Sequence, residues 1–271
     1  MISPKTALRI ALPTLLIVGV TPVAALETAP ALISVDEDES RAKALEIINR
    51  HIEAIGGADA IRAHTSVTQT GSMAIPAAGI EGTLTVMNRA PNLFSVNIEV
   101  PDMGSMATGY NGEIGWSSNP IEGATKFEGE QLRDIQIQAD YINVLNTERH
   151  YEEISYDGVR AFAGQQANVV KLVDSDAKET LQLYSVESGL LIGVLATQST
   201  TMGDVEVSSE LSEYKAFGDL KFATRTIQLA GVQAFEILVK NVSYDEISEE
   251  AFALPPAIKA LTEAPEPATA P

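Results

Sequence analysis

Ile80-Glu81-Gly82-Thr83-Leu84-Thr85-Val86-Met87, a turn at Arg89-Ala90-Pro91-Asn92, and Phe94-Ser95-Val96-Asn97-Ile98-Glu99-Val100 form the stretch whose reading decides the fold. Ile80, Gly82, Leu84 and Val86 alternate with Glu81, Thr83, Thr85 and Met87. Phe94, Val96, Ile98 and Val100 alternate with Ser95, Asn97 and Glu99. Successive side chains of a strand point to opposite faces, so a period of two describes two strands, each with one apolar face. The Pro-Asn turn between them makes the pair antiparallel.

The same period runs outward in both directions, beginning at Ser66. Tyr110-Asn111-Gly112-Glu113 sets an Asn-Gly pair between two short runs, the strongest local hairpin signal, with Trp116 on the second arm. Tyr156-Asp157-Gly158-Val159 repeats the device with Asp-Gly. Further strands are predicted over 168–173, 180–186, 190–201, 205–214, 221–229 and 232–242, punctuated by Glu187-Ser188-Gly189 and Gly218-Asp219. About a dozen short strands at this spacing describe a meandering antiparallel sheet.

Helical spacing occurs twice. Leu45, Ile48, Ile52 and Ile55 fall on one face of a first helix, which Gly56-Gly57 ends; Asp38, Glu39 and Ser40 suit its start. A short helix over 58–63 follows. Leu132, Ile135, Ala139 and Ile142 place a further helix within 130–145, inserted midway along the sheet. The fold class is therefore mainly β with α: a long curled antiparallel sheet forming a half-open barrel, covered by an N-terminal helix and an inserted one.

At the N-terminus, Lys5 and Arg9 precede an apolar run over 10–25 that closes on the small residues Val23-Ala24-Ala25. This is the pattern of a secretory signal peptide, residues 1–25, and the run is shorter than the ~20 residues of a spanning helix. Residues 26–39 and 263–271, acidic and rich in Pro and Ala, are expected to be disordered around a single domain over 40–262. With no cysteine in the sequence, disulfides, thiol chemistry and a lipidated Cys anchor are excluded. A periplasmic location follows as the expectation. The formal charge of −19 becomes −21 without Lys5 and Arg9, and so acidic a chain is a poor partner for nucleic acid.

Enzymatic signals are weak. His51 is expected on the polar side of the first helix, His64 in a turn and His150 at a strand start, with no metal-ligand spacing or nucleophile arrangement among them. Glu152-Glu153 and Glu249-Glu250 are adjacent, so on a strand the two carboxylates would diverge. Gly109-Tyr110-Asn111-Gly112 reads as a turn and not as a phosphate loop. No cofactor, metal or catalytic residue is assigned.

Ile55-Gly56-Gly57, Pro76-Ala77-Ala78-Gly79-Ile80, Gly109-Tyr110-Asn111-Gly112-Glu113-Ile114-Gly115-Trp116 and Glu187-Ser188-Gly189-Leu190-Leu191 resemble the outer-membrane lipoprotein-sorting family, the LolA-like and LppX-like periplasmic carriers. The resemblance spans about residues 42 to 255. It implies a half-open barrel closed by helices around an apolar cavity that shelters acyl chains, with lipid or lipidated protein as cargo and envelope membrane proteins as further partners. It also implies a basic residue near the cavity, for which Arg89 and Arg225 are the strand-borne candidates. An exposed acyl chain costs about 0.8 kcal/mol per CH₂, so a carrier in water must hide it. Leu84, Val86, Phe94, Val96, Ile98, Val205 and Val207 are the expected lining, with Trp116 at the rim. The alternatives are a protein-interaction module of the envelope, or an enzyme that has recruited the same cavity for a small apolar substrate.

Overall fold

The computed structural model describes residues 37–120, 122–200 and 203–263. The signal-peptide stretch, most of the segment over 26–39 and the tail after residue 263 lie outside them.

Thirteen antiparallel strands form one sheet. The first six are β1 (Ser66–Ile75), β2 (Ile80–Arg89), β3 (Leu93–Val100), β4 (Gly104–Tyr110), β5 (Gly115–Asn119) and β6 (Gly123–Lys126). The other seven are β7 (Glu153–Phe162), β8 (Gln165–Val173), β9 (Glu179–Ser185), β10 (Leu191–Thr200), β11 (Gly203–Phe217), β12 (Leu220–Ala230) and β13 (Gln233–Tyr244). The spatial order is β6-β5-β4-β3-β2-β1-β13-β12-β11-β10-β9-β8-β7. Each run of strands is a meander of nearest neighbours, and the two are welded where β1 pairs with β13, from Val67 opposite Tyr244 to Ala74 opposite Glu236. Strands β6 and β7 are left as free edges, so the sheet curls without closing.

At the weld the register shifts between Thr70 and Gly71. A Cβ on Gly71 would stand 1.7 Å from the Leu238 carbonyl oxygen, so only glycine fits this bulge.

The first and third helices lie against the same face of the sheet. Helix α1 (Glu37–Ile55) runs along β7, β8 and β12, and α2 (Ala58–Ala63) follows it. Helix α3 (Gly129–Ala139) crosses β3, β4 and β5. It packs directly on backbone: a Cβ on Gly115 would lie 2.8 Å from the Ile135 side chain. A 3₁₀ turn (Asn143–Leu145) and α4 (Thr147–His150) then lead from one sheet edge to the other. A further 3₁₀ turn (Glu249–Phe252) lies by β3, and α5 (Pro256–Glu263) by β6.

Two apolar clusters lie beneath these helices, and a third, of Ala167, Val169, Leu183 and Ile192, lies on the opposite face of the sheet. Under α3, Met73, Leu84, Val86, Phe94, Val96 and Ile98 pack with Ile135 and Ala139. Under α1, Ala44, Ile47, Ile48 and Ile52 pack with Ile154, Val170, Leu172 and Tyr184.

Several expectations meet the structure closely. The Asn-Gly hairpin joins β4 to β5, with the Asn111 side-chain oxygen accepting from the backbone N–H of Glu113 (3.1 Å) and Ile114 (2.7 Å). Others are corrected. Asp157-Gly158 is no hairpin: it lies inside β7, at a register shift between Tyr156 and Val159, where glycine serves a bulge. The inserted helix stops at Ala139 because the Asp140 carboxylate takes the Ile142 N–H at 3.2 Å, and the end of the expected range becomes the 3₁₀ turn. Helix α1 starts at Glu37, within the segment expected to be disordered, its first turn holding Glu37, Asp38 and Glu39 at the positive end of the helix.

Ile135 is fully buried at the centre of the α3 cluster. Ile135→Ala should therefore cost about 2–5 kcal/mol, read as a lowered urea midpoint at unchanged slope. A loss under ~1 kcal/mol would mean that α3 is not what covers that half of the sheet.

Candidate functional site

Where α1 ends over β12, at the margin of its cluster and short of the α3 cluster, a cavity of about 290 Å³ opens. Its floor is the weld and its neighbours: Val67 from β1, Ile237 and Val239 from β13, Phe222 from β12 and Leu211 from β11. Its roof is the end of α1 with α2, through Ile55 and Ile61, and the α3–α4 connection, through Tyr141 and Val144. The volume sits at the lower end of the ~300–1,000 Å³ of small-molecule sites.

Two tyrosines of the wall spend their hydroxyls on backbone carbonyls. Tyr214 O–H donates to the Leu191 carbonyl and Tyr244 O–H to the Phe217 carbonyl, both at 2.7 Å. Burial pushes the Tyr141 and Tyr244 phenols up to about 12, so both stay neutral at pH 7. What they contribute to the cavity is apolar surface.

His51 also lines it. Expected on the polar side of α1, it is instead 6 % exposed, because the buried face of the helix runs through Ala44, Ile47, Ile48, His51 and Ile52. Its Nδ1 accepts the Leu191 N–H at 3.2 Å, and the ring packs 5.4 Å from Tyr184. Burial lowers its pKa to about 4, so the imidazole is neutral in the native protein.

His64, between α2 and β1, is sandwiched differently. Its Nδ1 lies 2.8 Å from Asp245 and its Nε2 3.1 Å from Asp219. The ring stacks on Tyr244 at 4.0 Å and 17°. The two carboxylates, Asp245 first, raise its pKa above the ordinary imidazole value, and the histidine in turn holds both of them below the usual carboxylate range. One imidazole between two carboxylates thus pins the α2–β1 connection to the β11–β12 turn and the end of β13.

His150 ends α4, not a strand, and its Nε2 lies 2.6 Å from Asp140. Burial alone would raise the Asp140 carboxyl, but hydrogen bonds from Asn146, His150 and the Ile142 N–H outweigh it and keep the pKa below its ordinary value. This cluster fixes the α3–α4 connection, and hence the Tyr141 and Val144 that roof the cavity. Among the described residues, no three His, Asp or Glu side chains are grouped to hold a metal ion.

The residues singled out from sequence are distributed as follows. Leu84, Val86, Phe94, Val96 and Ile98 share the helix-covered face, but they lie under α3 and are packed against it. Val207, on β11, is 1 % exposed and lines a separate 70 Å³ pocket beside Asp134 and Lys178. Val205 lies two residues before it on the same strand and is half-buried. Trp116 is 5 % exposed and alternates with Gly115, so its indole lies on the sheet face opposite α3. None of these eight lines the 290 Å³ cavity. Arg89 donates to the Ile247 carbonyl at 2.8 Å and Arg225 pairs with Glu236 at 2.8 Å; neither lines the cavity.

A second concavity adjoins the first. A cleft of about 1080 Å³ is lined by residues of α1 to α4 and of the β2–β3 turn, and it shares Tyr141 with the apolar cavity.

The same fold occurs in several solved structures. A DUF1329 family protein from Desulfovibrio piger superposes with a TM-score of 0.54 at 11% identity, over 78% of this chain and 97% of that one. A LolA superfamily protein from Nitrosomonas europaea gives 0.52 at 13%, over 78% and 97%. An outer membrane lipoprotein-sorting protein domain from Vibrio parahaemolyticus gives 0.51 at 11%, over 80% and 97%. The chain therefore has a LolA-like fold. No protein-family model matches the sequence, and no curated protein does either.

The two histidines should titrate in opposite directions. His64, with a raised pKa, contributes stability that is complete below pH 6.5 and is lost as pH rises through its folded value. His51, with a lowered one, makes the fold lose stability as pH falls from 6.5 towards 4, because the unfolded chain binds the proton and the native state does not. NMR titration should place the His64 pKa above 6.5 and that of His51 near 4, and Asp245→Asn should bring the His64 value back down. An unmoved His64 in that variant would exclude the carboxylate clamp.

Proposed function

We propose that this chain is a periplasmic carrier or binding protein for lipids or lipidated proteins, holding acyl chain in the cavity between α1 and α3. The observation that carries this reading is the cavity itself: an apolar, tyrosine-walled space at the centre of the sheet, left where two helices fail to cover one face. Buried apolar surface with no catalytic constellation around it suits sequestration. The LolA-like fold supports the reading, since one of the structures that share it is an outer membrane lipoprotein-sorting domain.

Export is part of the proposal and rests on the N-terminal sequence. No helix among the described residues is long and apolar enough to cross a membrane. The non-enzymatic reading rests on where the histidines stand: His51 is buried and neutral, while His64 and His150 are each held by carboxylates that tie loops together.

Protein purified from the periplasm should carry acyl lipid, seen by native mass spectrometry and organic extraction. A fluorescent fatty acid should bind and be displaced by that extract. Leu211→Glu, which puts a carboxylate into the cavity wall, should weaken the probe by more than about tenfold, because an unpaired charge must be desolvated there, with the circular dichroism spectrum unchanged. If the wild-type protein yields no lipid and binds no probe, the carrier reading fails.

A further inference from the structure

The large cleft is built from charge that the rest of the chain does not predict. Of the eight arginines among the described residues, four line it: Arg41, Arg62, Arg133 and Arg149. They come from α1, α2, α3 and α4, so the fold and not local sequence brings them together. In a chain of net charge −19 this concentration runs against composition.

The carboxylates on the cleft wall are largely committed. Glu148 is held by Arg41 at 2.7 Å, and Asp140 by His150 and Asn146 at 2.6 and 2.7 Å. Glu152 is the remaining acidic side chain of the lining, and it is exposed. Against it stand Arg62 and Arg149, both exposed and without an ion pair among the described residues. Arg133 pairs with Asp176, yet its Nε is buried with no hydrogen-bond acceptor among the described residues. A buried donor left in that state is destabilising, and an incoming acceptor would relieve it.

The cleft also touches the cavity through a single layer of rings. Tyr141 lines both, and His64 of the cleft stacks on Tyr244 of the cavity. Guanidinium forks match phosphate oxygens two at a time. We propose that the cleft binds the phosphate group of an amphiphile whose acyl chain enters the adjoining cavity, with Arg62 and Arg149 as its recognition residues. The proposal rests on the carrier reading and adds the chemistry of the head to that of the tail.

The test compares a lysophosphatidic acid with a monoacylglycerol of the same acyl chain, each titrated below its critical micelle concentration into the full-length mature chain by displacement of the fluorescent fatty acid. The wild-type protein should prefer the phosphate-bearing ligand by about tenfold or more, the worth of one charge-assisted contact, and less so as salt is raised. In the Arg62→Ala/Arg149→Ala double variant the preference should collapse towards unity while monoacylglycerol affinity stays the same. Equal wild-type affinity for the two ligands, or a preference that survives in the double variant, would overturn the proposal and leave the carrier reading standing. Inorganic phosphate binding as tightly as lysophosphatidic acid would also overturn it, marking a free-phosphate site. Failure of both amphiphiles to bind the wild-type protein would instead overturn the carrier reading itself.

Discussion

The pairing of β1 with β13 fuses two meanders into one sheet of thirteen strands, and so wide a sheet presents a long apolar face beneath α1 and α3 that something must cover. Two helices are available. Helix α3 covers β3 to β5 and α1 covers β7, β8 and part of β12. The strands of the weld itself fall between them. The apolar cavity is thus a geometric remainder, and its position is set by the one long-range pairing in the topology.

That remainder is kept apolar by small devices at its margin. Tyrosine hydroxyls are turned onto the backbone carbonyls of Leu191 and Phe217. The segment that roofs it is held by Asp140 with Asn146 and His150, and the α2–β1 connection by His64 between two aspartates. Each device satisfies polar groups with one another, which leaves the apolar side chains free to face inward. The three histidines, unpromising as a catalytic set, are accounted for as fasteners and wall.

Local pattern carried much of this and topology carried the rest. Alternation at 80–100, the Asn-Gly hairpin and the helical spacing of Leu132, Ile135 and Ala139 all reappear as β2–β3, the β4–β5 turn and α3, because each is a property of neighbours in sequence. The apolar face of β2 and β3 was legible too, but what lies on top of it was not: α3 sits there, which depends on a chain crossing some forty residues later. The cavity floor joins Val67 to Val239 and the cleft joins Arg41 to Arg149, and no periodicity connects residues that far apart. His51 is instructive in a different way. Its polarity argued for solvent, yet it stands one turn after Ile47 and Ile48 on the buried face, and packing overrode the polar character of one ring.

The acidity of the chain and the arginines of the cleft act at different ranges. At physiological salt, charges separated by more than about 8 Å are largely screened from one another. A net charge of −19 therefore keeps the molecule dispersed and lends it little attraction to other anionic surfaces, while Arg62 and Arg149 are felt only by a group that has already entered the cleft. A phosphate-headed lipid would meet no long-range pull, and its capture would depend on acyl chain and head being placed together, one in the cavity and the other in the cleft. Because the two spaces share Tyr141, a ligand with both chemistries could reach both at once, and its two contacts would add in one molecule.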